Sequence, residues 1–254
     1  MTPFDNALAL RQMDAAFLTL GSRPSPTLPR PKLMTLGGDH SIALAALRSL
    51  YKIYGEPLSV VHFDAHLDTW NPSMFPSAWT SKQSEFTHGS MFWIASNEGL
   101  IANGTSAHAG LRTRLSGSDW ADFEDDERQG FLRITADDID DIGTKGVVDA
   151  ILRRTGTERP VYLSVDIDVI DPGLCPGTGT PEPGGWTSRE LIRILRGLEG
   201  LNVVGADIVE VAPAYDGLGE QTALTAAQVV YEILTSWAGS YVKSGGFGKG
   251  KDEL

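Results

Sequence analysis

The sequence predicts an α/β fold: a three-layer α/β/α sandwich around a mostly parallel sheet. Three observations lead there. Short runs rich in Val, Ile and Leu alternate with segments whose apolar residues recur at helical spacing. Those runs are almost continuously apolar, the mark of strands buried on both faces. The chain has 254 residues, 41% of them hydrophobic, enough for one large domain with a substantial core and too apolar for a disordered one.

The elements follow in order. Leu8, Leu10, Met13, Phe17 and Leu18 are spaced as on a helix, and residues 21–32, rich in Pro and Ser, read as a loop. Leu33–Leu36 is a first strand, bounded by Pro31-Lys32 and Gly37-Gly38. A helix over 41–54 carries Ile42, Leu44, Leu47, Leu50 and Ile53, and the apolar run 58–63 follows. Strand, helix and strand in that order imply a parallel pair. The theme recurs with strands at 107–111 and 131–134, a helix near 145–154 and a strand at 161–167. A helix at 188–199, a strand at 203–211 and a long helix at 222–237 complete it. With no internal repeat, heptad or linker, residues 1–242 are expected to form one domain and 243–254 a flexible tail.

Composition excludes several classes. Lys and Arg number 21 against 33 Asp and Glu, a net charge of −12, which argues against nucleic-acid binding and suits a cationic ligand. A single cysteine, Cys175, excludes an intramolecular disulfide framework. No stretch approaches the ~18 apolar residues of a membrane helix. The N-terminus lacks the basic region and apolar core of a signal peptide. The last four residues, Lys251-Asp252-Glu253-Leu254, spell a signal for retrieval to the endoplasmic reticulum. The expected location is therefore cytoplasmic as the chain stands, or the secretory pathway if a leader is missing.

The chemistry gathers where strands end, the ligand-binding edge of parallel sheets. Gly37-Gly38-Asp39-His40-Ser41 follows the first strand, Asp64-Ala65-His66-Leu67-Asp68 the second, and Asp166-Ile167-Asp168 ends the strand begun at Val161. In extended chain alternate residues share a face, so Asp64, His66 and Asp68 can converge, and so can Asp166 and Asp168. With His40 the set holds four carboxylates and two imidazoles, which would repel without a cation among them. Without thiolates the set does not suit a structural zinc; oxygen-rich ligands with imidazole suit Mn²⁺ or another first-row divalent ion. Four carboxylates are too many for one ion and suit two that share oxygens. His62 and His108, inside strands, read as structural, and Asp39 and Asp171 as turn formers.

The ordered motifs GGDHS, HFDAHLD, SVDIDVIDP with GTGTPEPGGWT, and DIVEVAP resemble the ureohydrolase superfamily of arginases, agmatinases and guanidinobutyrases, over roughly residues 33–240. The resemblance implies two Mn²⁺ ions and hydrolysis of a guanidinium group to urea and an amine. It places His40, Asp64, Asp68 and Asp166 on one ion and Asp64, His66, Asp166 and Asp168 on the other, with Asp64, Asp166 and a hydroxide bridging. It makes His88 a proton shuttle, pairs Glu210 with the guanidinium and sets Thr180 of the glycine loop against it. It further implies a homo-oligomer, trimeric or hexameric. Such proteins carry an N-terminal edge strand before the first motif, and this chain is expected to begin after it. The segment Thr69-Trp70-Asn71-Pro72-Ser73-Met74-Phe75, with Trp79 beyond, resembles agmatinases more than arginases. Agmatine is the expected substrate, with guanidinobutyrate second, for whose carboxylate Lys82, Arg112 or Arg114 is a candidate partner. Arginine ranks third. A relative that binds without turnover is an alternative, disfavoured by retention of all six ligands, His88 and Glu210; an amidohydrolase acting on an amide is another, disfavoured by the carboxylate count and Glu210.

Overall fold

Six strands make one sheet: β1 (Leu33–Leu36), β2 (Ser59–Phe63), β3 (Ser106–Leu111), β4 (Phe131–Thr135), β5 (Val161–Asp166) and β6 (Val203–Val209). Their spatial order is β1-β6-β5-β2-β3-β4, and every neighbouring pair is parallel. The structure is a computed structural model and describes residues 6–26, 28–73, 86–243 and 245. Met74, Phe75, Trp79, Lys82 and the terminal residues 251–254 lie outside the described residues.

Helices cover both faces, as the sequence predicts. On one side α1 (Asn6–Gly21), α2 (Ile42–Tyr54) and α3 (Met91–Asn97) bury Leu44, Leu47 and Phe92 against Val60, Tyr162 and Val204. On the other, α5 (Asp138–Thr155), α6 (Ser188–Gly197) and α7 (Gln221–Lys243) bury Ile151, Ile194 and Val229 against Val61, Val165 and Ala206. Between them, β2, β3, β5 and β6 are buried at every position, which explains their continuous apolar runs. A capping box starts α6, with Thr187 and Glu190 satisfying each other's backbone N–H groups.

Four expectations need correction. The short α3 and α4 (Ala121–Gln129) were not expected. Helix α4 reads ADFEDDERQ and buries only Asp126, so it carries no apolar stripe to detect. Helix α5 begins at Asp138 rather than near 145, because Gly143 (φ 65°, ψ 172°) breaks the periodicity. Strand β6 stops at Val209, since Glu210 turns into the left-handed region at φ 59°. The residues after β2 and β5 are not extended either: Ile167–Val169 is a single 3₁₀ turn and Asp68 has φ 56°. Alternation along a strand therefore is not what brings the site aspartates together.

A candidate metal centre

Side-chain turns replace alternation. Asp64 Oδ1 accepts from the His66 backbone N–H (2.6 Å), and Asp166 Oδ1 accepts from that of Asp168 (2.8 Å). Each aspartate thus folds the two residues after it back over the strand end. Gly110, on the neighbouring strand, has φ 101°; a Cβ there would come within 2.4 Å of Val169 and 3.3 Å of the Asp64 carbonyl. Glycine lets β3 lie against both loops.

The six residues singled out from the sequence do meet. His40 Nδ1 stands 3.3 Å from Asp64 Oδ2, 3.1 Å from Asp68 Oδ2 and 3.4 Å from Asp166 Oδ2. His66 Nδ1 stands 3.1 Å from Asp64 Oδ1 and 3.0 Å from Asp168 Oδ2. Asp64 therefore presents one oxygen to each imidazole and belongs to both halves of the cluster. Burial is nearly complete throughout, with only His66 partly open to solvent.

Electrostatics follow from this crowding. Burial opposes charge on His66, yet Asp168 and Asp64 outweigh it and push the imidazole up to about 12. Burial also works against ionisation of Asp64, but His62, His40 and His66 hold it well below the usual carboxylate range. For Asp168 burial prevails, with the Asp64 charge behind it, and the carboxyl rises to about 6. Burial and the charges of Asp168 and Asp64 push Asp166 well up. The site demands positive charge, and a divalent cation is the natural supplier. His40 Nδ1 makes no directed hydrogen bond although three carboxylate oxygens surround it, as a ligand nitrogen aimed at a shared centre would. Hard oxygens with imidazole nitrogen form a donor set for divalent ions, and the cluster fits two of them.

Groups not singled out from the sequence support the cluster. His40 Nε2 lies 2.7 Å from Ser164 Oγ; Ser164 donates to Asp207 Oδ1 (2.8 Å), and Tyr162 donates to Asp207 Oδ2. With Nε2 donating to Ser164, the lone pair of Nδ1 faces the carboxylates. Strand register puts these groups in one row: Asp207 pairs with Ser164, Ser164 with His62, His62 with His108, and His108 with Arg133. His62 and His108, read as structural, are fully buried and 2.8 Å apart at their Nδ1 atoms. An Asp inside the apolar run VVGADIV was the one available signal for Asp207.

The residues assigned by resemblance stand at the rim. Glu210 Oε1 accepts from the His40 backbone N–H at 2.6 Å, and burial raises its carboxyl. Thr180 is exposed and its hydroxyl lies 3.4 Å from Asp168 Oδ2. His88 is 46% exposed in its side chain, with Nδ1 3.8 Å from Asp39. Asp39 and Asp171 accept backbone N–H groups, as turn formers do. Arg112 donates to the carbonyls of Gly110, Asp168, Val169 and Glu182, joining β3 to the Asp168 turn and the glycine loop.

Comparison with known proteins agrees with this geometry. The model of the arginase family matches residues 1–235, and the chain belongs to that family. An agmatinase of Enterobacter sp. is 42% identical over 203 residues, 80% of this chain and 59% of that protein. The chain thus spans about three fifths of the length of the curated relatives it matches. Among solved structures, proclavaminate amidino hydrolase from Streptomyces clavuligerus superposes with a TM-score of 0.80 at 36% identity, covering 94% of this chain and 73% of that one. Agmatine ureohydrolase of Thermoplasma volcanium gives a TM-score of 0.72 at 28% identity, covering 94% and 71%. No helix among the described residues is long and apolar enough to cross a membrane.

Proposed function

We propose that this chain is a ureohydrolase that cleaves agmatine to putrescine and urea with two Mn²⁺ ions. The observation that carries the proposal is the Asp64 carboxylate, which offers one oxygen to the His40 half and the other to the His66 half. His40, Asp64, Asp68 and Asp166 would hold one ion; Asp64, His66, Asp166 and Asp168 would hold the other. Bound there, the ions supply a water-derived nucleophile at neutral pH and offset negative charge in the transition state.

The protein's own groups do the rest. Glu210, anchored through Oε1 by the His40 amide, has Oε2 on the side of the glycine loop. A carboxylate held this way pairs with a planar guanidinium and fixes its carbon relative to the cluster. Thr180, on the same loop, contributes a hydroxyl beside Asp168. His88, at the exposed rim, passes a proton to the departing amine and regains one from water.

Substrate choice rests on charge and on similarity. Guanidinobutyrate needs a cation for its carboxylate, and Arg112 is committed to backbone carbonyls. Arg114 is exposed and Lys82 lies outside the described residues. The net charge of −12 favours a substrate that is cationic at both ends. Similarity to agmatinases at 42% identity points the same way. A homo-oligomer, trimeric or hexameric, is the proposed assembly, and residues 1–242 the single domain. The test is urea release by the Mn²⁺-loaded protein from agmatine, guanidinobutyrate and arginine side by side. The highest kcat/KM is expected for agmatine; a higher value for either competitor refutes the substrate, and no urea from any refutes the activity.

A further inference from the structure

One guanidinium holds the loop that faces the open half of the cluster. That loop carries Thr180, whose hydroxyl lies 3.4 Å from Asp168 Oδ2, and Glu182, whose Oε1 lies 3.9 Å from His66 Nε2. Its two ends are anchored. The Gly177 carbonyl accepts from the Ala212 N–H at 2.7 Å, and Asp171 Oδ2 accepts from the N–H groups of Gly184 (2.8 Å) and Gly185 (3.2 Å). Between those ends, among the described residues, the backbone of 178–183 has a single hydrogen-bonding partner from another segment. Arg112, directly after β3, donates from Nε (2.9 Å) and Nη2 (2.6 Å) to the Glu182 carbonyl. Pro181 and Pro183 have no N–H, so the apex offers mostly acceptors. Only a donor reaching in from outside ties it down.

The guanidinium is matched to that task. Its fixed fork of N–H donors also meets the carbonyls of Gly110 (3.2 Å) and Val169 (3.3 Å) through Nη1 and that of Asp168 (2.5 Å) through Nη2. One planar group thus spans β3, the Asp168 turn and the loop, which the point charge of a lysine ammonium cannot reproduce. Gly185 makes room for it, since a Cβ there would stand 2.7 Å from Arg112 Nη2. The Asp168 turn has further supports. The Asp168 N–H donates to Asp166 Oδ1 at 2.8 Å, Asp168 Oδ1 accepts from the Ala65 N–H at 3.1 Å, and the Trp186 N–H reaches the Val169 carbonyl at 3.1 Å. Loss of the guanidinium therefore falls on the loop apex before it falls on the metal ligands.

We propose that Arg112 is a positioning residue for the substrate-facing wall of the site. By holding the Glu182 carbonyl it sets where Thr180 and Glu182 stand against the His66 half. Gly179 of the same loop lies against Glu210, with a Cβ built there 3.7 Å from Oε2. Loop and guanidinium-binding carboxylate therefore line one space, and a shift of about 1 Å at such a wall costs on the order of 10²-fold in rate. Arg112 touches no reacting group and acts through the loop. The proposal rests on the ureohydrolase reading of this site, and the experiments keep the two apart.

The first measurement needs neither metal nor substrate. In the metal-free protein, ¹⁵N relaxation of the Gly179 and Thr180 amides is expected to give order parameters of about 0.85 in wild type and below about 0.6 in Arg112→Lys, with β5 unchanged. A loop already mobile in wild type, or equally rigid in both, overturns the proposal. The second is kinetic. Mn²⁺-loaded Arg112→Lys is expected to keep its full metal content and to lose roughly 10²-fold in kcat/KM for agmatine. Wild-type kcat/KM overturns the proposal, and so does loss of Mn²⁺ in step with activity, which would make Arg112 a support of the metal ligands instead. The third is rescue. Millimolar guanidinium chloride is expected to accelerate Arg112→Ala several-fold by occupying the vacated space, with no acceleration of wild type. A folded Arg112→Ala that is not rescued overturns the proposal; if that variant does not fold, Arg112→Lys decides. Wild type that releases no urea refutes the ureohydrolase reading, and the relaxation measurement still decides the role of Arg112.

Discussion

The two halves of the cluster share Asp64 but are held differently. Behind His40 stands a closed row: Ser164, Asp207 and Tyr162, each at most 1% exposed and each hydrogen-bonded to the next. His66 has a side chain 14% exposed and, among the described residues, only Glu182 at its far nitrogen, 3.9 Å away. Its neighbours Thr180 and Glu182 belong to a loop tied down through the Arg112 guanidinium. One half is built like a structural site, with every outer position filled by protein; the other keeps a side open, as catalytic sites do. Both imidazoles are recruited by the same kind of sequence signal, a histidine beside an aspartate at a strand end. Depth in the sheet, not residue type, separates them.

The largest effect expected is loss of the shared group. Asp64→Ala removes the carboxylate facing both imidazoles, so both halves should fail together. Bound Mn²⁺, read by elemental analysis, should fall from two ions per chain to below one, and urea release to background. Retention of one full ion would mean that the halves are independent and that Asp64 belongs to only one of them.

A second substitution separates chemistry from metal binding. His88→Asn lies outside the cluster; the His88 Nδ1 atom stands 3.8 Å from Asp39 Oδ2. Turnover should drop by roughly 10²–10⁴-fold, the usual scale for a general acid–base group. Mn²⁺ content should stay at two per chain, and an unaltered pH–rate profile would remove His88 from the proton path.

The third probes the asymmetry itself. Ser164→Ala deletes the group that receives the His40 Nε2 proton and leaves Asp207 with Tyr162 and the Val165 amide. Mn²⁺ affinity at the His40 half should weaken by about 10–100-fold while the other half is untouched. Two-site calorimetry reads this directly. Equal weakening at both sites would show that depth does not set the division.

Much of this was legible in the sequence, for a physical reason. Ligands must lie near strand ends, strand ends are marked by Gly and Asp, and His40, Asp64, His66, Asp68, Asp166 and Asp168 all stand there. The route was legible only in part. Alternation suggested that Asp64, His66 and Asp68 share a face, whereas backbone-capping turns bring them together. The outer residues were illegible, because their partners are set by register: Ser164 meets Asp207, and His62 meets His108, across strands that are 43 and 46 residues apart in the chain. Asp126 sits in an acidic helix where its neighbours Asp125 and Glu127 look equivalent in sequence. The left-handed backbone of Glu210 left no trace either, since Glu is not among the residues such geometry favours, whereas Asp68 is of a type that adopts it more readily. Non-glycine residues held there store strain, and two of the three among the described residues belong to the proposed site.

The smallest effect expected is on the open half. Thr180 is exposed, and its hydroxyl reaches Asp168 Oδ2 only at 3.4 Å, the long end of a hydrogen bond. A neutral hydrogen bond contributes about 0.5–1.5 kcal/mol net, and an exposed, stretched one belongs near the lower figure. Thr180→Val keeps the branched shape and removes only the hydroxyl. If that hydroxyl helps to seat the guanidinium, KM for agmatine should rise by roughly 2–10-fold with kcat little changed, the pattern of lost uniform binding. If instead it steadies Asp168, the affinity of the His66 half for Mn²⁺ should fall and kcat with it. Measuring KM, kcat and Mn²⁺ affinity on the same preparation distinguishes these outcomes, and an enzyme unchanged in all three would remove Thr180 from the site and leave the loop to Arg112 and the glycines.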